Sequence, residues 1–401
     1  MPRLRLRPFA LAAAAAVALI PALDALARVK LITLPVRERV EVRLDHPDAT
    51  LVEEERVVPL LEGRNQIDFS WKNVSVDPGT LVFRVLGPAD GQGDMDVNVI
   101  SVTYPPDENA LVWDVHASRA GSATVRISYL LGGLTKAFAY RAVAGADEQT
   151  LTLEQYLRVQ NFAAEAYDDT TVHAGYGENF SRPIGSNETR QMLAADYDAV
   201  PVVKAYTVDA AGLGYLDRAD HKLRCAMHYV LENTEEQGLG REALPAGKVR
   251  LFQTDPAGTR AFIGEDFTRF TPVGDKARLF VGVAQDVVVR RTIERRETQD
   301  KGANLHDAHV VIKYEIENFK DGEIPLDVVE EIDQLRREVG LHTGQTPSWK
   351  LGDQTTFRAK PDPERTRLNR LVLRTGLDAR DGDEAAKTTH KLHLVFEDQW
   401  Q

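Results

Sequence analysis

One cysteine, Cys225, stands alone in 401 residues. No intramolecular disulfide can brace this chain, so its stability must come from size and a packed core. Aromatic residues are sparse at 7%, and no apolar run beyond the first 27 residues approaches the roughly 20 residues that a membrane-spanning helix needs. Basic charge is in deficit, with 49 Lys and Arg against 61 Asp and Glu, a formal net charge of −12. That balance disfavours nucleic acid and anionic lipid as partners, because neither phosphate neutralisation nor a polybasic patch is on offer. Catalytic signatures are missing too. There is no Gly-x-Ser-x-Gly elbow, no His-Glu-x-x-His, no Walker loop and no Gly-x-Gly-x-x-Gly after a strand. No residue is therefore singled out as catalytic, and no cofactor is expected. The lack of a repeat of fixed period argues against a propeller or solenoid.

What is present begins with an address. Arg3, Arg5 and Arg7 precede the apolar stretch PFALAAAAAVALIPALDALA, which closes on Ala25-Leu26-Ala27. A charged segment, an apolar segment and a small-x-small site in that order predict an export signal cleaved before Arg28. Pro21 and Asp24 interrupt the run and leave it too short for a retained anchor. The expected product is periplasmic, cell-surface or secreted, and more acidic than the full chain. Basic, neutral or metal-bridged partners suit it best.

Beyond the signal the sequence reads mainly with a period of two. Val40, Val42 and Leu44 alternate with charges, Ile67, Phe69 and Trp71 share one face, and runs such as VNVISVTY (97–104), ALVWDVHA (110–117) and ATVRISYLL (123–131) follow at short intervals. This spacing predicts an all-β protein, with an amino-terminal β domain over 28–145 and a larger β-sandwich region over 146–401. A candidate sub-boundary falls near 300, in the polar stretch ETQDKGANLHDA. Few helices are expected. The segment 186–200, behind Ser186 or Asn187, reads as a short helix or ordered connector, and DQLRREVGL (333–341) is ambiguous because Leu335 and Val339 have helical spacing.

Several residue groups could carry chemistry. His306/His309 and His390/His393 have His-x-x-His spacing, but on strands an offset of three puts the two rings on opposite faces, which favours solvated strand-edge histidines over a metal site. Asp90, Asp94 and Asp96, on a Gly-bearing turn, are weak candidates for wrapping a calcium ion, and the turn at 378–384 is weaker still. The adjacent carboxylates Glu265 and Asp266 should point to opposite faces and guard a strand rather than share a substrate. Cys225 alternates with polar positions like a buried structural thiol. Of the tryptophans, Trp71 and Trp113 read as core and Trp349 as the exposed one. Asn73, Asn179 and Asn187 begin Asn-x-Ser/Thr sites, which matter only in a glycosylating host.

One region resembles a known family. The pieces are Leu244-Pro245-Ala246-Gly247-Lys248-Val249-Arg250, then Ile263-Gly264-Glu265-Asp266, Thr271-Pro272 and the stretch Gly282 to Asp286. As an ordered set they are similar to the bacterial family catalogued as domain of unknown function 4139, also described as mucoidy-inhibitor-like. The strand ends in VLENTEEQGL and KYEIENF, and the amino-terminal run from VEVRLDHPDATL to LVFRV, are similar to the same family and the domain that often precedes it. Two departures accompany the likeness: Phe270 stands where the family usually has His, and the long coiled coil of many relatives is missing. The resemblance implies an exported β-sandwich protein of the bacterial envelope and transfers no reaction. The expected role is therefore a binding or structural module engaging another envelope protein or a surface polymer through loops or an open sheet edge. A carbohydrate-active or other hydrolase, and a calcium-stabilised adhesive module, are the alternatives.

Overall fold

The computed structural model describes residues 30–400 other than 47–48, 72–73, 90, 92, 169, 177–178, 213–221, 303, 343–347 and 359–360. Ala25, Ala27, Asn73 and Asp90 lie outside the described residues. The chain is all-β with few short helices, as its period-two patterning predicts. In chain order it forms β1 (Lys30–Thr33), β2 (Arg39–Arg43), β3 (Thr50–Leu60), β4 (Gly63–Ser70), β5 (Val82–Pro88), β6 (Val97–Thr103), β7 (Ala110–Ala117) and β8 (Gly121–Leu131). Next come β9 (Leu134–Ala144), β10 (Thr150–Asn161), β11 (Thr170–His173), β12 (Phe180–Ser181), β13 (Thr189–Pro201), β14 (Val203–Asp209) and β15 (Lys222–Glu232). The remainder forms β16 (Gly247–Thr254), β17 (Arg260–Thr268), β18 (Lys276–Gly302), β19 (Leu305–Asn318), β20 (Ile324–Glu331), α1 (Ile332–Glu338), β21 (Trp349–Leu351), β22 (Arg370–Leu377) and β23 (Ala386–Trp400).

Internal contacts divide the chain into two units. The first holds residues up to 39, 54–73 and 81–128, and the second holds 40–53, 74–80 and 129 onward, so the divide falls within β3 and β8. In the first unit a four-stranded sheet runs in the order β1-β4-β7-β6, and β5 pairs with β8. Alternation along β4 sends Ile67 and Phe69, followed by Trp71, into the core, where Phe69 lies 5.7 Å and Phe83 5.0 Å from Trp113. The buried carboxylate Glu54 is held by Arg37 and, at 2.9 Å, by Arg56. A buried charge persists only when paired in this way.

The second unit carries a five-stranded sheet, β13-β10-β9-β16-β17, and an eight-stranded sheet, β21-β23-β19-β18-β15-β14-β20-β22. The larger sheet curls on itself. Arg291 on β18 reaches Glu330 on β20, three places along the sheet, with Nε–Oε1 at 2.6 Å and Nη2–Oε2 at 3.2 Å, and Tyr314 on β19 donates to the same carboxylate. Its seam is marked by Thr375 on β22 and His390 on β23, whose Oγ1 and Nε2 are 2.9 Å apart. The interior fills with Val208, Cys225, Val289, Ile312, Leu326, Leu394 and their neighbours, joined by Ile332 and Leu335 of α1. Each such side chain, fully buried, contributes roughly 1.5–3 kcal/mol. Burial also pushes the Cys225 thiol up to about 12, as expected of a structural cysteine rather than a reactive one.

One expectation changes. Residues 189–201 form a strand, not a helix or connector, because the β10 partnership buries Ala194, Tyr197 and Val200. Ser186 and Asn187 instead build the preceding turn, where Asn187 has φ of 56° and Glu188 Oε2 accepts the Gly185 N–H at 2.6 Å. The ambiguous DQLRREVGL segment resolves as helix α1. The polar stretch near 300 turns the chain from β18 into β19, two paired strands of one sheet.

Strand ends share a device that the sequence hints at only near 233 and 318. Asn65, Asn161, Asn233 and Asn318 are almost fully buried, and each latches a turn through its amide. Asn233 donates to the carbonyls of Glu242, Thr271 and Pro272 at 3.0–3.1 Å and accepts the Gly240 N–H at 2.9 Å. A buried amide of this kind is tolerated because its polar atoms are used.

Candidate binding surface

The motif residues from Leu244 to Pro272 assemble at one corner of the five-stranded sheet, where their roles are architectural, while the stretch Gly282 to Asp286 lies on β18 of the eight-stranded sheet. Leu244 bridges Thr271, and the Pro245 carbonyl accepts the Tyr140 hydroxyl at 2.7 Å. Gly247 opens β16 so close to β9 that a Cβ would lie 2.4 Å from the Phe138 oxygen. Gly264 likewise lets the Val281 carbonyl approach to 3.0 Å of where a Cβ would be. Lys248 and Arg250 reach Glu265 across the β16–β17 pair at 2.7 and 3.3 Å, and the hydrogen bond from Lys248 is the main reason the Glu265 carboxyl is held below its usual range. Asp266 points to the other face, as alternation requires. Its Oδ2 accepts the Phe280 N–H of β18 at 2.6 Å and its Oδ1 that of Phe267 at 2.8 Å. Pro272 lies in the turn latched by Asn233.

Beside this corner the outer face of the sheet presents Arg141 and Glu154, joined at 2.5 Å, so that the hydrogen bond from Arg141 lowers the Glu154 pKa. A general acid needs a raised pKa. Glu154 and Glu265 are both shifted the opposite way.

The remaining candidates separate. Asp94 and Asp96 are exposed, and their loop is tied by backbone: the Gly93 and Asp94 carbonyls accept from Arg119, and the Asp96 N–H donates to Ser118 Oγ at 3.0 Å. Asp381 and Glu384 pair across a short turn. Asn179 and Asn187 are exposed. Among the described residues no three His, Cys, Asp or Glu side chains gather in a way that could hold a metal ion.

The histidines correct the picture of solvated edges. Each pair does straddle its strand, yet His306 and His393 are buried, and pairing of β19 with β23 brings one ring of each pair together, His309 Nδ1 lying 3.1 Å from His393 Nε2. His393 Nδ1 also meets Asp353 Oδ1 at 3.2 Å. Two nitrogens of one ring face two different partners, which makes a hydrogen-bond relay rather than a shared ligand set. Cross-strand register, which period counting along a single strand does not supply, is what joins them. The tryptophans correct too: Trp349 is half-buried with its indole N–H on the Leu368 carbonyl at 2.6 Å, whereas Trp400 is 59% exposed.

The surface that stands out is the edge strand β6, which the sequence marks as a strand but not as an edge. Among the described residues it pairs with β7 alone and ends its sheet. Its residues, Val97-Asn98-Val99-Ile100-Ser101-Val102-Thr103, include no charge and no proline, and Val99, Ile100 and Val102 are 43%, 58% and 41% exposed. Both faces of the strand are open, and its one irregularity is a bulge at Ile100. Edge strands are normally blunted by charge, proline, covering chain or short length, because an apolar edge templates the pairing of another strand. Comparison with known proteins adds no family: no known family matches the chain, and no curated protein matches it. Among the described residues no helix is long and apolar enough to cross a membrane.

Proposed function

We propose that this protein is an exported, non-catalytic binding module of the bacterial envelope, of the mucoidy-inhibitor-like kind, that takes a strand of another envelope protein onto β6. The carrying observation is an uncharged, apolar edge strand exposed on both faces of a protein otherwise rich in charge. Strand addition obtains affinity from main-chain hydrogen bonds along such an edge and specificity from alternate side chains. A different protein is favoured over a second copy because two chains of net charge −12 repel. The signal-like segment ending at Ala27 supports export, and the motif from Leu244 to Pro272 supports the family reading.

A photo-crosslinking residue at Val102, introduced in the native host, tests the surface. One recurrent heterologous adduct, lost when Val99→Lys is added, is the expected result. An adduct at twice the chain's own mass points to self-pairing, and no adduct overturns the reading. Amino-terminal sequencing of the mature protein should begin at Arg28 if export proceeds as proposed.

A further inference from the structure

The eight-stranded sheet has a second face, opposite its apolar core. Tyr206 and Val208, Leu326 and Val328, and Leu371 and Leu373 point into the core, so Thr207, Asp327 and Arg374 project from the other side of β14, β20 and β22. Register sets Thr207 beside Asp327 and Asp327 beside Arg374. Asp327 is buried, and Arg374 grips it with a fork, Nε–Oδ1 at 2.8 Å and Nη2–Oδ2 at 3.3 Å. Arg365, from the loop before β22, donates to the same carboxylate. A third guanidinium arrives from β18, where Arg278 Nη2 donates to Thr207 Oγ1 at 3.2 Å. The small side chains Ala205 and Ala226 lie next to Thr207 along β14 and across on β15, leaving room for it.

Two arginines thus meet one carboxylate and a third meets the neighbouring Thr207 hydroxyl, a cluster of guanidiniums on a protein of net charge −12. Around them Arg370 pairs with Glu331 at 3.1 Å and Lys276 with Glu232 at 2.9 Å, while the charges of Asp362 and Glu364 act on Arg374 and Lys276 respectively. Arg278 is half-buried and, among the described residues, has no carboxylate within ion-pair distance. Burial first, then the neighbouring Arg365, push its pKa down, with Asp327 pulling the other way. On the same face His228 carries a buried Nδ1 with no hydrogen-bond partner.

We propose that Arg278, Arg365, Arg374 and Thr207 form a binding site for a phosphate group. A phosphate near neutral pH carries about −1.5 to −2 charges, so it gains more than a singly charged carboxylate from several guanidiniums gathered at one point. Guanidinium forks and a hydroxyl are the donors that such oxygens take. The site is independent of strand addition at β6.

The test is calorimetric titration of the intact protein at low ionic strength, where exposed charges are least screened. Inorganic phosphate, glycerol 2-phosphate and acetate are the three probes. Saturable 1:1 phosphate binding is expected, with acetate weaker by about tenfold or more, and Arg278→Gln should weaken phosphate by a similar factor. Thr207→Val leaves every charge in place and should weaken binding by a smaller factor, which keeps the test intact if Arg278→Gln folds poorly. Tighter binding of glycerol 2-phosphate identifies an esterified ligand, and tighter binding of the inorganic ion a free one. The proposal falls if phosphate up to about 10 mM, far weaker than a useful site, gives no saturable heat. It also falls if Arg278→Gln binds as the native protein does, or if acetate binds as tightly as phosphate.

Discussion

Two sheet edges, β6 and β17, are treated in opposite ways. β17 ends the five-stranded sheet and is guarded along its backbone even though Phe262 and Phe267 are exposed: Arg260 and Glu265 place charge on it, a bulge between Phe262 and Gly264 breaks its register, and the Val281 carbonyl of β18 lies against Gly264. Asp266 then fastens it to the Phe280 amide. The eight-stranded sheet goes further and curls until its ends meet at Thr375 and His390. Among the described residues β6 has none of these protections apart from its bulge. Exposed apolar edges are a liability that folded proteins usually remove, so an edge left uncharged and exposed on both faces, in a chain that fastens β17 and the ends of its largest sheet, is read as one kept open for a partner.

The largest expected effect comes from undoing the curl. Glu330→Leu should leave Arg291 buried with only the more exposed Glu338 nearby, and urea unfolding should register a loss of about 3–5 kcal/mol, the usual cost of breaking a buried pair. Unfastening the guarded edge should cost less. Asp266→Ala removes the acceptor of the Phe280 amide, so stability should fall by about 1 kcal/mol while hydrogen exchange at that amide accelerates.

Acid should loosen the curled sheet at its seam. Burial lowers the pKa of His390, stacked 4.6 Å from Phe357, so between its folded value and the unfolded value of about 6.5 the unfolded chain binds the extra proton. The stability His390 contributes is complete above about pH 6.5 and is lost as pH falls through its folded pKa. Melting temperature followed from pH 7.5 to 5 should decline, and His390→Gln should flatten part of that decline. A profile unchanged by the substitution would detach this residue from the seam. The smallest effect on stability belongs to the open edge. Val99→Lys should move the unfolding free energy by no more than about 0.5 kcal/mol, as surface changes do, yet abolish capture of the strand partner. A large destabilisation there would mean that β6 is a packed strand after all.

Much of this architecture is readable along the chain because the period-two pattern is local. Ile67, Phe69 and Trp71, the alternation around Cys225 and the opposed directions of Glu265 and Asp266 all follow from strand geometry, and each stands where that geometry sends it. The segment 189–201 misleads because its apolar positions are sparse and two register shifts within the β10 pairing interrupt their alternation. The arginine cluster and the histidine relay escaped for a different reason. Arg278, Arg365 and Arg374, like His309 and His393, are brought together by pairing between strands distant in sequence.

The sequence by itself thus determined the secondary-structure class, the absence of disulfide bracing, the acidic balance and the facing of individual side chains, since each depends on composition or on a residue's immediate neighbours. Tertiary structure decided which strand became a bare edge, which sheet curled shut and which charges met across it. Those outcomes depend on strand order and register, and these are set by long-range pairing that no local pattern encodes.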